Sequence, residues 1–108
     1  MAHYLLQVAY TPQAWAGLIK NPQDRVQALK PVLEKMGGKI ESASFAFGDY
    51  DFMAILQMPA NADAAALAMA AAAGGSVRSL KTTPLLTTAE GLDAMRKAAT
   101  SGYTPPNG

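Results

Sequence analysis

The sequence predicts an α+β fold, in which an antiparallel four-stranded sheet has helices on one face. Four short apolar segments have the length of strands: residues 4–10, 40–47, 52–58 and 76–83. Helical patterns separate the first segment from the second and the third from the fourth. The second and third segments are separated only by residues 48–51 (GDYD), a composition typical of a β-hairpin turn whose Gly and Asp accept positive φ.

Start and stop signals predict the helices of the first half. Residues 11–12 (Thr-Pro) are typical of an N-cap followed by Pro at the first helical position, so a short helix begins there. Residues 21–22 (Asn-Pro) repeat the signal and predict a second helix. Pro31 lies inside this second helix, where we expect it to kink the helix or displace its local hydrogen bonding. Residues 37–38 (Gly-Gly) predict its end.

The second half repeats the alternation of strand and helix. Asn61 is predicted to cap an alanine-rich helix that ends at residues 74–75 (Gly-Gly). The strand over residues 76–83 is polar, which is typical of a sheet edge. Thr87 and Glu90 form a capping-box pattern that begins a C-terminal helix. The order of elements is therefore the ferredoxin-like βαββαβ arrangement with a C-terminal helix added.

Length and composition restrict the classes of protein. The 108 residues predict one domain over residues 1–100 and a flexible, Pro- and Gly-rich tail over residues 101–108. A net charge of +1 without a basic cluster argues against nucleic-acid binding. The absence of cysteine excludes disulfides and thiolate chemistry. No apolar segment approaches the ~20 residues of a membrane span, and the start lacks a signal-peptide pattern, so we expect no membrane partner and a cytoplasmic location.

Alternation along the strands predicts one sheet face toward the helices and an open face without them. Besides polar residues such as His3, the predicted open face contains a set of apolar side chains: Leu5, Phe45, Phe47, Met53 and Ile55. A solvated sheet face should be mostly polar. We therefore expect a second copy to cover this face, giving a homodimer or a higher assembly joined through sheet faces.

The hairpin and its flanks resemble a known family. Residues 48–51 (GDYD), residues 37–40 (GGKI) with Phe45 and Phe47, and the strand that follows the hairpin are similar to the GYD domain family. That family is similar in turn to the ferredoxin-like dimeric α/β barrels, which include ligand-sensing domains, cofactorless oxygenases and haem-binding enzymes. The resemblance implies the fold and self-association, and it leaves the reaction open.

Five residues are candidates for a ligand-binding site: His3, Trp15, Phe45, Tyr50 and Asp51. His3 is the only histidine and would supply a group that titrates near neutral pH. Tyr50 and Asp51 would form the rim, and the two aromatic residues would form apolar walls. Plainer roles are available as well: a half-exposed His at a strand end, a Trp that seals the core, and an Asp that binds backbone groups at the strand entrance.

The remaining chemistry is sparse. Asp49 and Asp51 lie two residues apart, but no third carboxylate is close in sequence, so we expect no metal site. Phosphate-loop and nucleophile-elbow motifs are absent, and no catalytic residue or cofactor is indicated. The sequence favours a non-enzymatic homo-oligomer that binds a small apolar or amphipathic ligand, or acts in assembly or regulation. The alternatives are a cofactorless or haem-dependent oxidative enzyme using His3, Trp15 and Tyr50, and a structural subunit of a larger complex.

Overall fold

One antiparallel sheet organises residues 1–106, which are the residues that this computed structural model describes. Its strands are β1 (Ala2–Tyr10), β2 (Lys39–Phe45), β3 (Phe52–Met58) and β4 (Val77–Leu85), in the spatial order β2-β3-β1-β4. The helices are α1 (Pro12–Lys20), α2 (Arg25–Lys35), α3 (Asn61–Ala73) and α4 (Thr88–Ala99). The predicted α+β fold with a ferredoxin-like order and a C-terminal helix is confirmed, and β4 is an edge strand as expected.

The core lies between the sheet and the first three helices. Alternate residues of the two central strands are buried, and α2 and α3 cover them with Leu33, Ala64 and Leu67. The central-strand residues of this core are Tyr4, Leu6, Val8, Phe52, Ala54, Leu56 and Met58. Burial of each large apolar side chain contributes about 1.5–3 kcal/mol, so this face of the sheet supplies most of the hydrophobic stabilisation.

The start of α2 differs from the prediction. Helix α1 begins as expected, with Thr11 Oγ1 accepting the backbone N–H of Ala14 at 3.1 Å. Helix α2 instead begins three residues after Pro22, because Asp24 is the N-cap and its Oδ1 accepts the N–H of Val26 at 2.9 Å. The helix runs without interruption through Pro31. It ends at Lys35, just before the predicted Gly-Gly stop, and Gly37 has the positive φ of 81° that favours Gly after a helix end.

Helix α3 also starts differently. Ala60 occupies the N-cap position and makes no side-chain cap. Asn61, the residue that the sequence suggested as the cap, instead accepts a hydrogen bond from the hydroxyl of Tyr4 through Oδ1. Tyr4 is buried, and a buried hydroxyl needs a partner. The prediction that Asn61 caps α3 was therefore wrong, because a long-range contact uses the side chain.

A β-bulge moves part of the predicted open face to the other side. Ile40 lies opposite Leu56 and Ser42 lies opposite Ile55, so Glu41 is an extra residue in β2. The extra residue reverses the alternation that follows it. Phe45 therefore lies opposite buried Phe52 on the helix face of the sheet, with ring centroids 5.7 Å apart.

The predicted apolar open face is consequently smaller than expected. The placement of Phe45 there was wrong, and Phe47 lies beyond the end of β2 in the connection, where it is fully exposed. The open face keeps Leu5, Met53 and Ile55 at its centre, and Leu5 pairs directly with Ile55 across the two middle strands. These three side chains remain partly exposed among the described residues.

The β2–β3 hairpin is present, but its turn is not of the predicted kind. Residues 46–51 connect the strands, and none of them has positive φ. The backbone of Asp51 holds the connection instead: its carbonyl accepts the N–H of Ala46 at 2.8 Å, and its N–H donates to the carbonyl of Val8 at 2.8 Å. Hydrogen bonds therefore hold the connection in two places, between its first and last residues and between its last residue and β1.

Helix α4 extends away from the body. The Cα radius of gyration is 17.3 Å, whereas about 13 Å is expected for a compact chain of this length. The longest dimension is 57 Å. The helix begins with the predicted capping box, in which Thr87 and Glu90 exchange hydrogen bonds of 2.9 and 3.1 Å. None of the helices described is long and apolar enough to cross a membrane. The predicted tail includes residues 107–108, which lie outside the described residues.

Candidate functional site

Asp51 joins three elements at one end of the sheet. Its Oδ2 accepts the backbone N–H of Tyr10 at 2.8 Å and the indole N–H of Trp15 at 3.2 Å. Tyr10 ends β1, Trp15 lies on α1, and Asp51 closes the hairpin connection. A carboxylate that accepts two N–H donors in a half-buried place orients all three elements.

The two aromatic rings at this junction also contact each other. Tyr10 and Trp15 meet edge to face, with centroids 5.6 Å apart and an interplanar angle of 86°. This is a favoured arrangement for aromatic pairs. The indole N–H is committed to Asp51, so Trp15 is a positioning residue that holds α1 against the end of β1.

Two adjoining cavities open on the helix side, and Tyr10 and Arg25 line both of them. We call the first the inner cavity: it has about 60 Å³ and an otherwise apolar lining that includes Leu6, Leu29 and Leu67. We call the second the outer pocket: it has about 350 Å³ and lies between α1 and the start of α2. Its lining is mixed, with polar groups from Gln13, Gln23 and Ser76.

Tyr10 and Arg25 are the polar residues at the boundary between the inner cavity and the outer pocket. Tyr10 is buried, and burial raises the pKa of its hydroxyl, while the neighbouring Arg25 guanidinium acts in the opposite direction. The hydroxyl therefore stays protonated at neutral pH and is a hydrogen-bond donor. Arg25 donates from Nη1 to Gln23 Oε1 at 2.9 Å, which orients its guanidinium at the rim.

Arg25 has no carboxylate partner within residues 1–106. The basic and acidic side chains that contact each other in this part of the chain are His3 with Glu41 and Lys97 with Asp93. The side chain of Asp24, next to Arg25 in sequence, caps the helix by accepting the N–H of Val26. The half-buried guanidinium therefore presents a positive charge, which no carboxylate of the described residues contacts directly, between an apolar cavity and a mixed pocket.

His3 lies on the opposite face of the sheet. Its Nε2 is 2.9 Å from Glu41 Oε1, and the same carboxylate oxygen accepts a hydrogen bond from Gln57. His3 also lines a groove of about 220 Å³ with Ile55 and Leu85, where the open face meets the start of α4. His3 is thus separated by the sheet from the side chains at the Tyr10 junction.

The structure brings some of the five predicted site residues together and separates others. Trp15 and Asp51 share a hydrogen bond, and Trp15 and Phe45 line one shallow groove of about 190 Å³. His3 is on the other face. Tyr50 lies half-buried in the hairpin connection, next to Asp51. The carboxylate of Asp51 has the plainer of its two predicted roles, since it binds a backbone N–H at the strand end.

Sequence reasoning did not identify Arg25 or Tyr10 as a candidate, and it placed Tyr10 at the end of the first strand. Their one local signal is position: Tyr10 ends an apolar strand and Arg25 starts a helix after Asp24. Their proximity depends on how α2 packs, which no local pattern reveals. For metal binding, no group of three or more His, Asp or Glu side chains is placed to bind an ion within the described part of the chain.

Comparison with known proteins gives a family. The model of the GYD domain matches residues 4–95, which is most of the chain and includes the junction at Asp51 and both cavities. No curated protein and no solved structure matches the sequence. The match extends from β1 into α4 and therefore includes all four strands. Because it spans most of the chain, the chain belongs to the GYD domain family.

Proposed function

We propose that this chain is a homodimeric module that binds a small ligand, and that two copies join through the open faces of their sheets. The observation that carries the proposal is apolar surface that the described chain covers only in part. Leu5, Met53 and Ile55 lie at the centre of the open face, and α4 presents Leu92 and Met95 to solvent. Patches of this kind on small proteins commonly mark interfaces.

The total surface supports an interface of ordinary size. The accessible surface is 7351 Å², whereas a compact monomer of 11.3 kDa is expected to expose about 5,700 Å². The excess is larger than the roughly 800 Å² that each partner buries in a standard interface. Covering part of the open face and α4 would bring the chain closer to the surface of a compact protein.

Helix α4 supports the same proposal. Its side chains Leu92 and Met95 are three residues apart and lie on one helical face. The connection from β4 is only Leu86 and Thr87, and the capping box orients the first turn. None of its residues is buried by the described part of its own chain. The groove between Ile55, Leu85 and Leu86 links its start to the open face, so one interface can include both.

The ligand-binding part rests on the helix side of the sheet. The outer pocket, of about 350 Å³, lies within the ~300–1,000 Å³ typical of small-molecule sites. It combines apolar walls with a few polar groups, among them Tyr10 and Arg25. Because the open face is on the other side, a dimer through that face leaves the outer pocket accessible to a ligand.

The dimer is tested by sedimentation equilibrium of the purified chain over a range of concentrations. We expect a mass of twice 11.3 kDa for the unmodified chain. Ile55→Lys places a charge at the centre of the open face and should give a monomer. Met69→Lys is the matched control, because Met69 is exposed on α3 on the other side of the sheet, and it should remain a dimer. A monomeric unmodified chain at all concentrations contradicts the proposal.

The oxidative-enzyme alternative receives no specific support from the side-chain arrangement. It required His3, Trp15 and Tyr50 around a cavity between sheet and helices. His3 lies on the open face beside Glu41, and the indole N–H of Trp15 is bound to Asp51. The binding module is therefore the function that this arrangement supports best.

A further inference from the structure

We infer that Tyr10 and Arg25 form a binding site for a small organic carboxylate with a short apolar tail. The carboxylate binds Arg25 and the Tyr10 hydroxyl in the outer pocket, and the tail enters the inner cavity. This inference rests on the ligand-binding part of the proposed function and names the ligand class.

The first step concerns position. Tyr10 and Arg25 line both cavities, so a molecule that reaches from one cavity to the other passes these two side chains. Beyond them the lining is apolar, with Val8, Phe52 and Val77 among its residues. On the outer side, Gln13 and Ser76 add polar groups. The boundary therefore separates an apolar end from a polar end, which matches an amphipathic molecule.

The second step concerns charge. Arg25 is half-buried and has no carboxylate partner within the described residues. A guanidinium presents several N–H donors in a plane and binds a carboxylate through two parallel hydrogen bonds. The protonated hydroxyl of Tyr10 is a third donor beside it. The guanidinium has only donors, and the hydroxyl has one proton to donate, so both groups can hydrogen-bond to an anion.

The third step distinguishes a carboxylate from a dianion such as phosphate. The boundary has one cation, and the carboxylate of Asp51 lies close behind, bound to the backbone N–H of Tyr10. Asp51 is near enough to act on the Tyr10 hydroxyl electrostatically. One positive charge with a negative charge nearby favours a singly charged ligand over a doubly charged one.

The fourth step concerns size. The inner cavity of about 60 Å³ has room for about two groups of the volume of a water molecule, which is roughly 30 Å³. Two carbon groups therefore fill it. In pentanoate these are the last two carbon atoms of the tail, while the other two lie between Tyr10 and Arg25, whereas acetate does not reach past the boundary. For a ligand of this size we expect a Kd of about 1 mM.

The experiment is a titration of the uniformly ¹⁵N-labelled chain, followed by amide chemical shifts. Pentanoate, acetate, 1-pentanol and inorganic phosphate are added separately, up to about 20 mM and therefore well above the expected Kd. We expect pentanoate to bind more tightly than acetate, pentanol and phosphate. The shifts should be centred on Tyr10, on the first turn of α2 and on the lining of the inner cavity.

Two substitutions test the two ends of the site. Arg25→Gln should weaken pentanoate binding at least about tenfold, since it removes the charge-assisted bonds. Lys35→Gln removes the same charge from an exposed position on α2 and should leave binding within about twofold. Ala71→Leu places extra carbon atoms against the inner cavity and should abolish the advantage of pentanoate over acetate.

Several results would overturn the inference. Equal binding of pentanol and pentanoate would show that Arg25 does not select the ligand. Equal binding of acetate and pentanoate, tighter binding of phosphate, or no localised shifts at 20 mM would also contradict it. If Arg25→Gln does not fold, the comparison of the four ligands on the unmodified chain decides alone. The sheet-face dimer is measured by mass, so its failure is distinguishable from failure of the carboxylate site, and Ile55→Lys protein should still bind pentanoate.

Discussion

The carboxylate of Asp51 accepts the indole N–H of Trp15, with 3.2 Å between Oδ2 and Nε1. The same oxygen accepts the backbone N–H of Tyr10 at 2.8 Å. A single side chain of the hairpin connection therefore positions helix α1 and the end of β1. Tyr10 lines both cavities and Asp51 lines neither, so Asp51 supports the candidate site by positioning Tyr10.

Asp51→Ala should destabilise the chain by about 1–3 kcal/mol, because it leaves two N–H donors without their acceptor in a partly buried place. Asp49→Ala is the matched control: Asp49 is exposed in the same connection and should change the free energy of unfolding by at most about 0.5 kcal/mol. Urea unfolding monitored by Trp15 fluorescence measures both. Equal effects of the two substitutions would contradict the role given to Asp51.

The hydrogen bond between Tyr4 and Asn61 should show an asymmetry. Tyr4 is buried and Asn61 is exposed. Asn61→Ala leaves the buried hydroxyl unsatisfied and should cost about 1–3 kcal/mol, although Ala is the better helix former. Tyr4→Phe leaves only an exposed amide, which water can satisfy, and should cost about 0.5–1.5 kcal/mol. Thermal or urea unfolding of the two variants gives the comparison, and a larger cost for Tyr4→Phe would refute it.

Two glycines should respond to Ala in different ways. A Cβ at Gly38 would lie 2.6 Å from the carbonyl oxygen of Gln57 and would also overlap Met58, so Gly38→Ala should destabilise the chain by about 2 kcal/mol or more. A Cβ at Gly48 meets nothing within 4 Å, and Gly48 does not have positive φ. Gly48→Ala should therefore be neutral, or stabilise by about 0.4–1 kcal/mol. Urea midpoints measure both, and a costly Gly48→Ala would mean that the turn needs glycine.

The helicity of α4 should depend on pH. The backbone N–H of Thr87, together with its hydroxyl, hydrogen-bonds to the carboxylate of Glu90 and lowers the pKa of Glu90. Because the pKa of Glu90 is lower in the folded state, its ionised carboxylate stabilises the start of α4 fully above the ordinary pKa of 4.5. This stabilisation is lost as the pH falls through the lowered pKa of Glu90. Carbon chemical shifts of α4 should therefore report a helix that frays in acid.

Glu90→Gln provides the control for this pH dependence. Glutamine keeps an acceptor for the backbone N–H of Thr87 but does not titrate. The variant should lose the acid-dependent fraying that is centred on the first turn of α4. A first turn whose shifts change equally with pH in both proteins would rule out Glu90 as the titrating group.

The order of the elements could be predicted because their start and stop signals are local. Thr11 caps α1, Gly37 ends α2, and Thr87 with Glu90 opens α4. The face of Phe45 could not be predicted, because the bulge at Glu41 depends on how two strands pair. The role of Asn61 could not be predicted either, because its hydrogen-bond partner, Tyr4, is 57 residues away in the sequence.

The candidate site was predictable only in part. Asp51 and Trp15 were both identified from residue type, and the structure joins them by a hydrogen bond. The pairing of Tyr10 with Arg25 depends on where α2 packs on the sheet, and that packing is decided by many apolar contacts together. The only local feature of Arg25 is its position at the start of α2, directly after Asp24.

The most direct test of the proposed self-association is an isotope-filtered NOE measurement on a mixed sample. One half of the chains has ¹³C-labelled methyl groups and the other half is unlabelled, so only contacts between chains give signals. The account predicts intermolecular NOEs from the methyl groups of Leu5, Met53 and Ile55. A sample in which these methyl groups show contacts only within their own chain would contradict the sheet-face dimer.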